Sequence, residues 1–297
     1  MNKNIYAILF AIIAALLYAI NIPFSKLLLS NISPTMMASY LYLGAGLGVA
    51  CLFLLTKKHD KSSYSKYTKK DMPFVIGMII LDIAAPILLM LGILDTSSSN
   101  ASLLNNFEIV CTSIIAFIIF KEVISKKMCF AIILITLSSF LLSFEDITNF
   151  KLSLGSLFVL LATVCWGFEN NCTRNLSSKN TYSVVTIKGI FSGLGSLIVA
   201  LILKESFPDI TYILLAMLLG FIAYGLSIFF YIKAQGIIGA SKTSAYYSLA
   251  PFIGAFLSFL FFKEKLEWSY FLGLSIMVIG TTIVVIDTLS KNKILEN

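Results

Sequence analysis

A carboxylate in the middle of a long apolar run is the first place where the sequence offers chemistry. Asn100 to Glu122 reads NASLLNNFEIVCTSIIAFIIFKE, long enough to cross a bilayer, with Glu108 near its centre. A charge at that depth costs about 3 kcal/mol on insertion scales, so it marks a binding or protonation site. Asn105, Glu108 and Thr112 follow i, i+3, i+7 and form one polar stripe on a continuous helix. Asp82 lies halfway along the preceding apolar run, so the two carboxylates can face each other from adjacent helices. Such a pair cannot fully ionise at low dielectric, which makes it a proton site or a seat for a cationic substrate. The alternative is that each hydrogen-bonds separately inside the bundle.

Glu169 and Lys188 form a second pair, at similar depth on neighbouring runs. An ion pair there is either an inner gate or a static link. Asn21 and Asn105 are costly in lipid and are expected to face inward. Tyr18, Trp166, Tyr246 and Tyr247 can stack on a planar or cationic substrate, or simply pack. Together with Glu108 and Asp82 these make up the expected substrate-binding or coupling set. Other chemistry has no residues to carry it. The five cysteines have no metal-type spacing, and His59, the single histidine, sits in a lysine-rich loop. No nucleophile–base set, metal cluster or phosphate-binding loop appears, so the reading assigns no catalytic residue, no metal and no cofactor.

The elements that must position these groups are membrane helices. Of the 297 residues, 58% are hydrophobic and 12% charged, against about a quarter charged in a soluble domain. Mean hydropathy is +0.93. Ten apolar spans are expected, at 5–27, 34–55, 73–94, 97–120, 128–144, 153–175, 181–203, 209–233, 238–262 and 268–287. The net charge of +7 belongs to the loops and does not point to nucleic acid. With the N-terminus in the cytoplasm, sixteen basic residues fall inside and five outside, which places both termini inside.

The chain also echoes itself. Shifted by 142 positions, Ser102, Phe117, Phe120, Lys121 and Glu122 meet Ser244, Phe259, Phe262, Lys263 and Glu264. Shifted by 148, Tyr18, Ala19, Asn21 and Lys26 meet Trp166, Gly167, Glu169 and Arg174. Five spans per half is an odd number, so the halves enter the membrane in opposite senses. The expected fold is an all-α integral membrane protein of ten transmembrane helices in two inverted five-helix repeats, at 1–146 and 151–290. Inverted repeats argue for a carrier that alternates which side is open.

The motifs carry a likeness. Tyr18-Ala19, Asn21 and Lys26 close the first span, and Trp166-Gly167 with Arg174 closes the sixth. Leu249-Ala250-Pro251-Phe252 opens the core of the ninth, which ends in Phe-Lys-Glu. Together these resemble the EamA-type members of the drug/metabolite transporter superfamily over nearly the whole chain. Tyr18 stands where that family usually has Trp, and Glu108-Ile109 where Glu-Pro or Leu-Pro is common. The resemblance implies a secondary, non-ATP carrier of a small metabolite such as an amino acid, often an exporter, in a bacterial inner membrane. It also implies that the fourth and ninth spans flank a central cavity. The expected partners are a small-molecule substrate, membrane lipid and protons as the candidate coupling ion, with the protein a monomer or homodimer. An uptake carrier is the alternative, and a non-transporting sensor or enzyme a more distant one.

Overall fold

The computed structural model describes residues 3–56, 65–121, 124–146, 151–176, 179–238, 243 and 246–295. The helices are α1 (Lys3–Ala19), α2 (Asn21–Leu28), α3 (Pro34–Thr56), α4 (Met72–Asp95), α5 (Ser98–Leu104), α6 (Phe107–Phe120) and α7 (Lys126–Leu142). After them come α8 (Leu154–Asn175), α9 (Thr181–Ile202), α10 (Ile210–Gly220), a π-helical turn (Phe221–Leu226), α11 (Ser227–Ile238), α12 (Ala250–Phe262) and α13 (Trp268–Leu295). A two-stranded antiparallel ribbon, β1 (Phe144–Asp146) and β2 (Lys151–Leu152), joins the halves. Among the described residues the regular structure is helical apart from this five-residue connector, in keeping with the all-α expectation.

Seven helical segments among the described residues are long and apolar enough to cross a membrane. Helices α7, α8 and α12 are shorter or more polar and pack among them. The burial pattern is that of a protein solvated by hydrocarbon. Leu54, Leu55 and Ile202 are more than 70% exposed, while Asn21, Ser39, Asp82, Ser192 and Ser196 are fully enclosed. Polar groups point inward because lipid cannot satisfy them.

Three expected spans are interrupted. The first breaks at Ile20, because Pro23 lacks the N–H that would close the turn onto Ala19. The fourth breaks at Asn105–Asn106, where amide side chains compete with the backbone ladder. There Asn106, Glu108 and Ile109 make tighter bonds to carbonyls three residues back. The eighth carries the π turn. The ninth span was expected from 238; Thr243, Tyr246 and Tyr247 are helical, a turn at Ser248–Leu249 precedes α12, and 239–242 and 244–245 lie outside the described residues.

Packing pairs elements from different halves. Helix α3 lies along α9, α7 along α13, α4 along α8, and α1 along α11. Helix α6 packs on α8 and α12 on α1, while α5 meets α12. Each pairing has a counterpart when the halves are exchanged. Backbone contact sets the α3–α9 crossing: a Cβ on Gly189 would lie 2.4 Å from both N and Cα of Gly46. Small residues allow this approach, and serine hydroxyls reinforce it, as in the 2.8 Å bond from Ser39 to the Gly193 carbonyl.

One face of the bundle is fastened through helix ends. Glu264 accepts the N–H groups of Ser98 and Ser99, at 2.7 and 3.1 Å, at the start of α5. Glu205 accepts from Ser33 Oγ (2.7 Å) and Met36 N (2.9 Å) at the start of α3. Lys26 Nζ donates to the carbonyls of Ile93, Leu94 and Thr96 at the end of α4. Each charge sits at the helix end whose dipole favours it.

At the opposite end of α4, Asp71 meets Lys179 at 2.8 Å and accepts from Thr68 N and Oγ, at 2.6 and 2.8 Å. The Lys179 ammonium, with Thr68, lowers the Asp71 carboxyl from 3.8 to about 2. A depressed acid adds stability above its ordinary range and loses it as pH falls through the depressed value. The contact therefore weakens between about pH 4 and pH 2. Carboxyl NMR of Asp71 in nanodiscs should give a midpoint near 2 that rises toward 3.8 in Lys179→Ala. Gly189→Val should cost about 3 kcal/mol through overpacking against Gly46. A thermal-shift assay reads this as a lowered melting temperature, and an unchanged one would refute the backbone contact.

Candidate functional site

The centre of the bundle is built on Lys188 of α9. Its Nζ lies 3.1 Å from Asp82 Oδ2 on α4 and 3.0 Å from Glu169 Oε1 on α8. Asp82 is fully enclosed, Glu169 nearly so, and Lys188 keeps 12% of its side chain exposed. Tyr42 of α3 donates from its hydroxyl to Asp82 Oδ1 at 2.9 Å, and Trp166 Nε1 donates to that hydroxyl at 3.5 Å. Thr173 Oγ1 donates to Glu169, one turn back on α8. Four helices thus meet around this triad, two of them, α4 and α8, directly at the ammonium. Isolated, any of these ions would be strongly disfavoured; the triad makes them tolerable.

A run of tyrosines leads away from the triad. The Tyr42 ring lies 5.2 Å from Tyr224, Tyr224 lies 5.8 Å edge-on from Tyr18, and Tyr18 lies 5.7 Å from Tyr247. Tyr231 continues the run at 5.1 Å from Tyr247. Asn21 Nδ2 donates to the Tyr224 hydroxyl at 2.9 Å and Ser25 Oγ donates to Asn21 Oδ1 at 3.1 Å. Tyr224 is on the π turn, where the extra residue in the turn sets its side-chain direction.

The broken fourth span supplies the other acidic group. Glu108 lies in the first turn of α6, at the positive end of the helix. Asn170 of α8 donates to Glu108 Oε1 at 2.6 Å and to Thr112 Oγ1 at 3.2 Å. Asn105 Nδ2 donates to the Tyr18 hydroxyl at 3.1 Å. Asn105 Oδ1 and both amide atoms of Asn106 are buried with no hydrogen-bond partner. Such groups are rare unless something else satisfies them. Beside them is a cavity of about 10 Å³ lined by Tyr18, Ala19, Ile22, Ser102, Asn105 and Pro251, among others. That is room for about one water, so the centre is closed.

The sequence expectations fare unevenly here. Asp82 and Glu108 do not share partners: Asp82 belongs to the lysine triad, Glu108 to Asn170. The stripe Asn105–Glu108–Thr112 is not continuous, because the helix stops between its first two members. Glu108 and Thr112 reach α8, while Asn105 reaches Tyr18 on α1. Glu169 and Lys188 meet, with Asp82 as third member. Tyr18 and Tyr247 enter the aromatic run, and Trp166 reaches it through its hydrogen bond to the Tyr42 hydroxyl. Tyr246 is half-buried, and its carbonyl accepts from Leu249 N at 3.4 Å. Tyr42 and Tyr224 were not anticipated. Tyr224 stands 142 residues after Asp82, so the repeat offset applied to Asp82 would have found it.

Comparisons with known proteins agree with this architecture. The model of the EamA-like transporter family matches residues 5–144 and again 153–286. An uncharacterized transporter of Methanothermobacter thermautotrophicus is 24% identical over 303 residues, covering 96% of this chain and 87% of the relative. The uncharacterized transporter YyaM of Bacillus subtilis is 26% identical over 244 residues, 79% of each chain. A protein crystal structure only 14% identical superposes with a TM-score of 0.69, over 95% of this chain and 96% of its own, a likeness of fold alone. Both halves match one family of membrane transporters, and apolar helices recur throughout: the chain is a multi-pass membrane protein belonging to the EamA-like transporter family.

Proposed function

We propose that this protein is a secondary carrier of a small polar or zwitterionic metabolite, such as an amino acid, working outward by alternating access. In this reading ten helices form two inverted five-helix halves, in the inner membrane of a bacterium with both termini in the cytoplasm. The exchange of packing partners between the halves supports the two-fold arrangement, and the lysine distribution supports the orientation.

The observation that carries the proposal is the junction of α5 and α6. Asn105, with a buried unpaired amide oxygen, and Tyr18, which accepts from it, line a space of about 10 Å³, and Asn106 and Glu108 lie one and three residues further along the same break, Glu108 at a half-helix start. Glu108 suits a substrate ammonium, and the free amide atoms of Asn105 and Asn106 suit its polar groups. Tyr18 and Tyr247 supply ring faces for the rest. To admit a substrate, α1–α2, α5–α6 and α12 must separate, and their breaks are the points where they can bend. Direction then follows the gradients rather than the fold.

Counterflow in proteoliposomes tests this reading. A panel of radiolabelled amino acids and small polar metabolites should include a solute exchanged unchanged by the wild type. Glu108→Gln should reduce that exchange at least about 100-fold, as for loss of a buried charged contact of about 3 kcal/mol, while eluting as a single folded species. Full exchange by Glu108→Gln would sink the assignment.

A further inference from the structure

The triad carries more negative charge than its lysine can neutralise. Two enclosed carboxylates, Asp82 and Glu169, share the one ammonium of Lys188 and leave a net charge of −1. The groups facing Asp82 are Tyr42 from α3, Cys165, Glu169 and Cys172 from α8, Lys188 from α9 and Tyr224 from the π turn, while Glu108 from α6 faces Glu169 and Lys188. None of the others is a cation. Arg174, on the last turn of α8, is exposed. Lys26 and Lys179 act at the two ends of α4, about 16 Å along the helix from Asp82. An uncompensated charge in so enclosed a place is strongly disfavoured.

We propose that the Asp82–Lys188–Glu169 triad is a reversible proton-binding site, separate from the Glu108 pocket, with Asp82 as the group that takes the proton. One proton from water forms an O–H bond at Asp82 Oδ2, giving a neutral carboxylic acid. Lys188 stays an ammonium paired with Glu169, and the triad becomes neutral. Nothing is oxidised or reduced. Asp82 is the acceptor because its Oδ2 has the Lys188 ion pair and no hydrogen bond, whereas Glu169 Oε1, in a like ion pair with Lys188, also accepts from the Thr173 hydroxyl. Protonation weakens the hold of α9 on α4 and leaves its hold on α8. It therefore changes which helices move together. The use of the proton to drive flux rests on the carrier reading; its binding does not.

The chain has its own reporter. Of its two tryptophans, Trp268 is 73% exposed at the start of α13, and Trp166 hydrogen-bonds to Tyr42, which hydrogen-bonds to Asp82. In nanodiscs, the emission of Trp166 in Trp268→Phe should follow a single sigmoid as pH is varied from acid to mildly alkaline. Adding Asp82→Asn should abolish that transition, because the amide imitates the protonated acid. Lys188→Gln should move it to higher pH, and Cys165→Ser and Cys172→Ser should leave it in place. A transition that survives Asp82→Asn, or none at all, overturns the proposal. A midpoint that moves when sodium replaces choline at constant ionic strength also overturns it, assigning the site to a metal cation. Titration without solute counterflow would count against the carrier reading alone; counterflow without titration would count against the triad alone.

Discussion

Lys188 is the constraint on which the centre of this molecule depends. A buried ammonium needs anionic partners, and the two it has sit on two other helices. Once it is placed, α4, α8 and α9 have a fixed relative depth. The remaining hydrogen-bonding capacity of Asp82 then fixes Tyr42, and through it α3. The close crossing of α3 and α9 at Gly46 and Gly189 keeps the two backbones that carry Tyr42 and Lys188 in contact. Packing and charge thus specify the same arrangement, which favours one structure over its competitors.

The two halves use matched positions differently. Glu169 stands 148 residues after Asn21, and Tyr224 stands 142 after Asp82, the two offsets that relate the halves. On one side the pair is Asn21 and Tyr224, joined by a neutral 2.9 Å hydrogen bond. On the other it is Glu169 and Asp82, joined through Lys188. One crossing is therefore built of neutral groups and the other of ionisable ones. Duplication supplied the geometry, and later divergence of side chains separated the roles. Glu108 shows the same divergence, since Ala250 stands at its matched position.

Much of the architecture was legible because hydrocarbon imposes simple rules. Apolar runs must be helical, and their length sets the span. Pro23 lies in the first turn of α2, just past the point where α1 ends. The centre was less legible for a reason of topology. Asp82 and Glu108 lie on consecutive spans, so adjacency in sequence suggested adjacency in space. Helix α4 instead packs along α8, half a chain away, and Asp82 meets residues of the second half. Asn105 forms a stripe with Glu108 and Thr112 only on an unbroken helix, and the consecutive amides of Asn105 and Asn106 are a reason for a helix to stop. Tyr42 looked like one apolar-span aromatic among many, since nothing local reveals that its hydroxyl points at a carboxylate.

The fastenings at the helix ends bear on how this chain tolerates change. Glu264, Glu205 and Lys26 each grip main-chain groups of another element. Most side-chain replacements at Ser98, Ser99 or Met36 leave the N–H groups in place, so half of each fastening is invisible to substitution. Genetic drift can rewrite most of the gripped side chains while these contacts persist. Their fragility is concentrated in three charged residues and the Ser33 hydroxyl, so the order of this face hangs on very few positions of the sequence.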